Sequence, residues 1–185
     1  MTASKQFKSF AIHKAYVAAY SASVAATWTE FPIVADGTLT LTVQEADVRD
    51  GEGSLDYTWY HTQDGMVTLR GKEASLRVLE MITGNDAVTS MAGKEKMYFG
   101  TDEELTPPLL RLKMVAKAVD EDDTEGYIIV IAYKARGRFP TINMSETTPG
   151  EISIEFRLLK STVDDQAITV TSCLGHLEAV PAAFE

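Results

Sequence analysis

Cysteine occurs once in this 185-residue chain, at Cys173, which excludes an intramolecular disulfide and a cysteine-based metal centre. A lone thiol suits assembly in a reducing cytoplasm. Histidine is nearly as scarce: His13, His61 and His176 lie far apart without ligand spacing, so no metal site or histidine-based catalytic set is expected. Long apolar runs are missing too. Met1 to Phe10 is polar and holds no signal-peptide core, and Ala11 to Ala26, though rich in alanine, is too polar and too short to span a bilayer. Basic residues are outnumbered, with 17 Lys and Arg against 27 Asp and Glu, for a formal charge of −10. Tight binding to nucleic acid or to an anionic membrane is therefore not expected, because phosphate binding relies on clustered Lys and Arg. DNA could still pass close to such a chain without sticking.

Catalytic motifs are absent as well. The glycines of Gly51-Glu52-Gly53 precede a strand pattern rather than a helix and are followed by no lysine-serine pair, so they form no phosphate loop. The acidic run Asp120–Glu125 reaches its glycine only at Gly126 and has strand-like flanks. It reads as a solvated hairpin tip and not as a calcium loop. Cys173 and His176 are three residues apart, but no local motif supports a thiol nucleophile, and packing is the expectation for both. No catalytic, cofactor-binding or metal residue is assigned, and the chain is not expected to be an enzyme.

What is present is alternation. Leu110, Leu112, Met114, Ala116 and Ala118 share one face of a strand, with Arg111, Lys113 and Lys117 opposite. The acidic turn leads into the apolar stretch Tyr127–Tyr133. Further on, Ile152, Ile154, Phe156 and Leu158 alternate with Glu151, Ser153, Glu155 and Arg157. Other strands are expected at Thr38–Gln44, Asp56–His61, Met66–Arg70 and Ala167–Thr171, with Asp64-Gly65 as a hairpin turn. Ala11–Thr29 is ambiguous between helix and strand and leans to strand-like or irregular. One helix is expected over Glu73–Ile82, its stripe formed by Leu76, Val78, Leu79 and Ile82, with Gly84 ending it.

These patterns predict a single domain over residues 1–185, with flexible terminal arms near 1–10 and 176–185. The fold class is α+β, mainly β: two packed antiparallel sheets, sandwich-like or barrel-like, with one main flanking helix. Leu112, Met114, Ile129, Ile131, Ile154 and Phe156 are the expected core. The polar side of the long strands reads either as a solvated sheet face or as an inter-subunit or channel-lining face.

This order of elements resembles the tail tube (major tail) proteins of tailed bacteriophages: paired strands, a helix ending at Thr83-Gly84, then a long hairpin and closing strands over Leu109–Leu158. Ile131–Gly137 followed by Glu151–Phe156 is similar to their late hairpin. The resemblance implies a structural virion protein that assembles in the host cytoplasm with itself and with other tail proteins. Its hexameric rings would stack into a hollow tube that guides DNA during ejection, with no cofactor and no membrane. One departure is that the Asp47–Ser54 loop looks short for the ring-stacking loop of that family. On this reading Glu151 and Glu155 are candidates to line the lumen, and Arg111, Lys113 and Lys117 are candidates for contacts between subunits. A β-sandwich binding module, such as a capsid-decoration or receptor-binding protein, is the alternative; exposed Tyr57, Trp59 and Tyr60 in a shallow groove would favour it.

Overall fold

The computed structural model describes residues 7–32, 34–49, 55–71, 75–85, 87–89, 95–100, 102–120, 125–143 and 151–181. Over 7–11, 34–35, 43–49, 55–63, 87–89 and 103–104, and at 95, 120, 143 and 181, that description is of the backbone. Among these residues the alternating segments form strands β1 (Phe7–Ala19), β2 (Thr29–Glu30), β3 (Val34–Arg49) and β4 (Leu55–Gly71), then helix α1 (Leu76–Thr83). Short strands β5 (Ala87–Thr89) and β6 (Glu95–Met97) follow, with a 3-10 turn at Asp102–Leu105. The central hairpin is β7 (Leu109–Asp120) and β8 (Glu125–Gly137), followed by β9 (Thr141–Asn143) and β10 (Glu151–Leu158). The chain closes with β11 (Ser161–Val163), β12 (Thr169–Cys173) and β13 (Gly175–Pro181).

Nine strands share one hydrogen-bonded path, β2-β1-β7-β8-β10-β4-β3, with β13 beside β8 and β9 beside β10. The β5–β6 and β11–β12 pairs stand apart from it. One edge of β8 bonds β7. The other takes β10 at Ala135–Gly137 and β13 at Gly126–Ala132. β13 thus continues the line that β10 begins, and the path divides there into two layers. β2, β1, β7, β8 and β13 form the first; β9, β10, β4 and β3 form the second.

The inward faces meet in one apolar core. Ala15, Val17, Leu110, Leu112 and Met114 come from the first layer, and Val67, Leu69, Ile154, Phe156 and Leu158 from the second. Each large apolar side chain buried there contributes roughly 1.5–3 kcal/mol. Phe31 sets its ring edge-on to Phe156 at 6.3 Å. β3 meets β1 through this interior: a Cβ on Gly37 would stand 2.6 Å from Ile12 Cδ1, so a larger residue there would make the Ile12 side chain shift. α1 stoppers one end with Val78, Leu79 and Ile82, and ends at Gly84, whose φ of 81° is the left-handed cap expected from sequence. A second cluster forms on the outward face of β8, where Trp28, Val115, Val170, Cys173 and Val180 cover Ile129, Ile131 and Tyr133.

The mainly β, antiparallel fold with one main helix is therefore present, and all six expected core residues are buried. Four readings are corrected or bounded. Asp64-Gly65 does not turn the chain; β4 runs straight through it opposite Thr42 and Leu41. The glycine is there because Leu158 Cδ1 and Leu174 Cδ1 press to 2.9 Å and 3.1 Å of where a Cβ would be. The ambiguous Ala11–Thr29 region is strand as far as Ala19 and irregular until β2. Helix α1 runs one residue further than expected, to Thr83, while Glu73 and Ala74 lie outside the described residues. The expected arms are in part strands: residues 7–10 pair in β1, and 176–181 pair in β13 with Ile131 to Gly126.

Candidate functional site

β10 covers β4 only from Gly71 to Gly65, whereas the β3–β4 pairing continues from Thr42↔Asp64 out to Arg49↔Leu55. At about 3.3 Å per residue, the stretch from Asp64 to Leu55 makes a two-stranded ribbon roughly 30 Å long. Neither outer edge of that ribbon has a strand partner among the described residues. Such edges present unpaired N–H and C=O groups.

Below the ribbon, the outward face of β10, β4 and β3 is polar and threonine-rich. Its charges fall into pairs fixed by register: Arg138–Glu155 at 3.5 Å, Arg157–Asp64 at 3.6 Å and Arg70–Asp36 at 3.9 Å. Exposed Arg136, opposite Arg157, and exposed Glu151 bring the count among the described residues to four arginines and four carboxylates, so the face is neutral in sum. Each pair is solvent-exposed and contributes ~0–1 kcal/mol. Glu151 and Glu155, the candidates for the lumen, both lie on this face and are exposed. Neither faces Arg111 or Lys113.

The three basic candidates separate. Arg111 is corrected: it is fully buried, and its guanidinium donates to the carbonyls of Ser21, Val24 (3.0 Å) and Asp165 (3.3 Å), with the Tyr20 ring at 5.4 Å. An arginine used this way fastens two loops of its own chain over β7 and is not offered to a neighbour. Five N–H donors on a planar fork suit it to collecting carbonyls. Lys113 is half-buried between Tyr16 and Trp28, its ammonium 5.6 Å and 5.9 Å from their ring centres. Lys117 is exposed on the same face.

His176 has one partner two residues along its own strand and another on β8. Its Nδ1 lies 2.6 Å from the Tyr133 hydroxyl and its Nε2 lies 2.9 Å from Glu178 Oε1. A carboxylate only accepts, so Nε2 carries the hydrogen, and a neutral ring leaves Nδ1 to accept from Tyr133. The order of donors resembles a nucleophile–histidine–acid chain. Burial, reinforced by the nearby Cys173, Asp164, Asp165 and Glu178, raises the Tyr133 hydroxyl above its ordinary value. That is the opposite of what an activated nucleophile needs. The chain fastens β13 to β8. His176 and Glu178, two apart on a strand, share a face and could have been paired from sequence; Tyr133 required the register of β8. Beside them a cleft of about 250 Å³ opens between the layers, lined by Leu39, Leu41, Leu158, Leu174 and Leu177.

His13 is exposed, 6.1 Å from the Tyr127 ring. The side chains of Tyr57, Trp59, Tyr60 and His61 lie outside the described residues, as do residues 121–124 of the acidic run. Among the described residues no group of His, Cys, Asp and Glu could hold a metal ion, and no helix is long and apolar enough to cross a membrane. No protein-family model matches the sequence, and no curated protein matches it significantly.

Proposed function

We propose that this chain is a structural virion protein that self-assembles into hexameric rings, stacked as the hollow tail tube of a bacteriophage, and that the tube guides DNA during ejection. The observation that carries this reading is the β3–β4 ribbon, which continues past the end of β10 with neither edge paired to a strand among the described residues. A free ribbon of this length is suited to reaching a neighbouring subunit, because strand edges readily template pairing between chains. It also answers the apparent shortness of the Asp47–Ser54 loop. The reach comes from paired strands on either side of the turn and not from the loop.

The neutral outward face of β10, β4 and β3 supports a conduit role. Arginines already paired with carboxylates hold phosphate weakly, and the chain as a whole repels it. On this reading the partners are further copies of the chain and other tail proteins, with DNA in transit, and assembly takes place in the host cytoplasm. Electron microscopy of the concentrated protein, with and without a tail-initiating complex, tests it. Rings or tubes are the expected outcome. Dispersed small particles under both conditions would overturn it in favour of a β-sandwich binding module.

A further inference from the structure

β13 is an open edge of the first layer: among the described residues it is bonded only to β8. Tyr133 N–H donates to the Leu174 carbonyl, so in this antiparallel register His176, Glu178 and Val180 turn their backbone groups towards β8. Gly175, Leu177 and Ala179 turn theirs away from it, towards the open side. Pro181, which has no N–H, closes the row. We infer that two copies of the chain pair through this edge, β13 against β13, about a two-fold axis that sets Leu177 opposite Leu177 of the second copy.

Three observations single out that register. The first is the backbone. With Leu177 on the axis, Gly175 falls opposite Ala179, so every outward-turned N–H before Pro181 meets an outward-turned carbonyl. The second is charge. On the outward face His176 falls opposite Glu178, and Glu178 opposite His176. Within each copy His176 Nε2 donates to Glu178 at 2.9 Å, and that bond is kept. The axis sets the two pairs side by side with unlike members facing. The next register in one direction would put Glu178 opposite Glu178, and in the other His176 opposite His176, so the unlike pairing is lost either way. The third is apolar surface. Leu177 is 68 % exposed and stands at the interlayer cleft with Leu39, Leu41, Leu158 and Leu174. The second copy's Leu177 covers it there.

Both copies present the same patch, so the contact is closed and leaves no β13 edge for a third copy. Neighbours in a tube of like-oriented rings are not related by a two-fold axis. The dimer is therefore a form of the free subunit in which β13 is withheld from growth, and it stands independently of the tube reading. One strand pair buries little surface, so the dimer is weak and populates in concentrated protein.

Cysteine cross-linking tests it in a Cys173→Ser background, with thermal unfolding as the check that each variant is folded. Leu177→Cys brings two thiols to the axis, where a hydrogen-bonded cross-strand pair has Cα atoms about 5.5 Å apart, within disulfide reach. Ala179→Cys leaves its two thiols roughly 14 Å apart along the strands, beyond that reach. Under mild oxidation Leu177→Cys should give covalent dimers about tenfold faster than Ala179→Cys. In sedimentation velocity, Leu177→Lys should abolish the wild-type dimer, since it sets two cations at the axis. Equal oxidation rates at the two positions, or a dimer that survives Leu177→Lys, would overturn the pairing. Wild-type protein that is monomeric at every concentration yet forms tubes on a tail-initiating complex would also overturn it and leave the tube reading standing. Wild-type protein that dimerises but never forms tubes would overturn the tube reading alone.

Discussion

Tyr133 shows how a single hydroxyl can tie the last strand to the centre of the fold. It is 5 % exposed, it donates to His176 on β13, and its burial, with the thiol and carboxylates around it, disfavours its ionised form. A hydroxyl whose folded-state value is raised keeps its proton more tightly in the folded protein than in the unfolded chain. Its contribution to stability is complete below tyrosine's ordinary value of about 10 and is lost as pH rises through the higher folded value. Tyr133→Phe should therefore cost about 1 kcal/mol at neutral pH, the usual worth of such a bond. In urea titrations through the alkaline range, the wild type should lose stability more steeply than the variant. Parallel curves would show that the proton on Tyr133 is not linked to folding. Arg111 makes a different point at the same scale. Its alternation with Leu110 and Leu112 correctly places it on the opposite face, but alternation cannot tell a solvated face from one covered by distant loops. The loop that covers it, Ser21–Val24, carries no pattern to announce it.

At the scale of elements, legibility follows locality. Helix α1 was readable because its stripe and its cap lie within about ten residues of one another. Gly84 takes a φ of 81°, and a Cβ there would also meet Pro108 Cδ at 3.3 Å. Gly84→Ala should destabilise the protein by ~1–2 kcal/mol, the cost of a left-handed alanine. An equilibrium unfolding shift under about 0.5 kcal/mol would mean the cap relaxes freely, contrary to that strain argument. The β7–β8 hairpin was readable for the same reason, since its strands adjoin in sequence. β4 was not. Asp64-Gly65 has the composition of a tight turn, and what overrides it is pairing with Leu41 and Thr42 of β3 on one side and, at Gly65, with Leu158 of the remote β10 on the other. The pairing of β8 with two successive strands on one edge is equally remote from any local signal.

For the whole molecule, alternation was enough to name the fold class and the buried set, yet it could not say which polar faces would be neutralised. Glu151 and Glu155 read as an acidic stripe along β10. Arg157 shares that side of β10, and the register of β4 and β8 adds Arg70 and Arg136, with Arg138 just beyond β8, which brings the face to neutrality. Glu151→Lys with Glu155→Lys in one chain separates the roles such a face can have. In the proposed tube, a lumen position predicts intact tubes with slowed DNA ejection, because added cations hold phosphate. Loss of tubes would instead assign the face to contacts between subunits. Intact tubes with unchanged ejection would place it against solvent and remove both residues from the lumen.

The ribbon carries a consequence for how the chain completes its own structure. Two strands paired only with each other are marginal in water, and three or more are ordinarily needed for independent stability. In this chain the body folds around a shared core, but among the described residues the stretch from Leu55 to Asp64 bonds to β3 alone. Half of its backbone groups find a partner within the molecule, and the other half must take theirs from water or from another chain. The stability of that stretch thus depends on what its open edge meets.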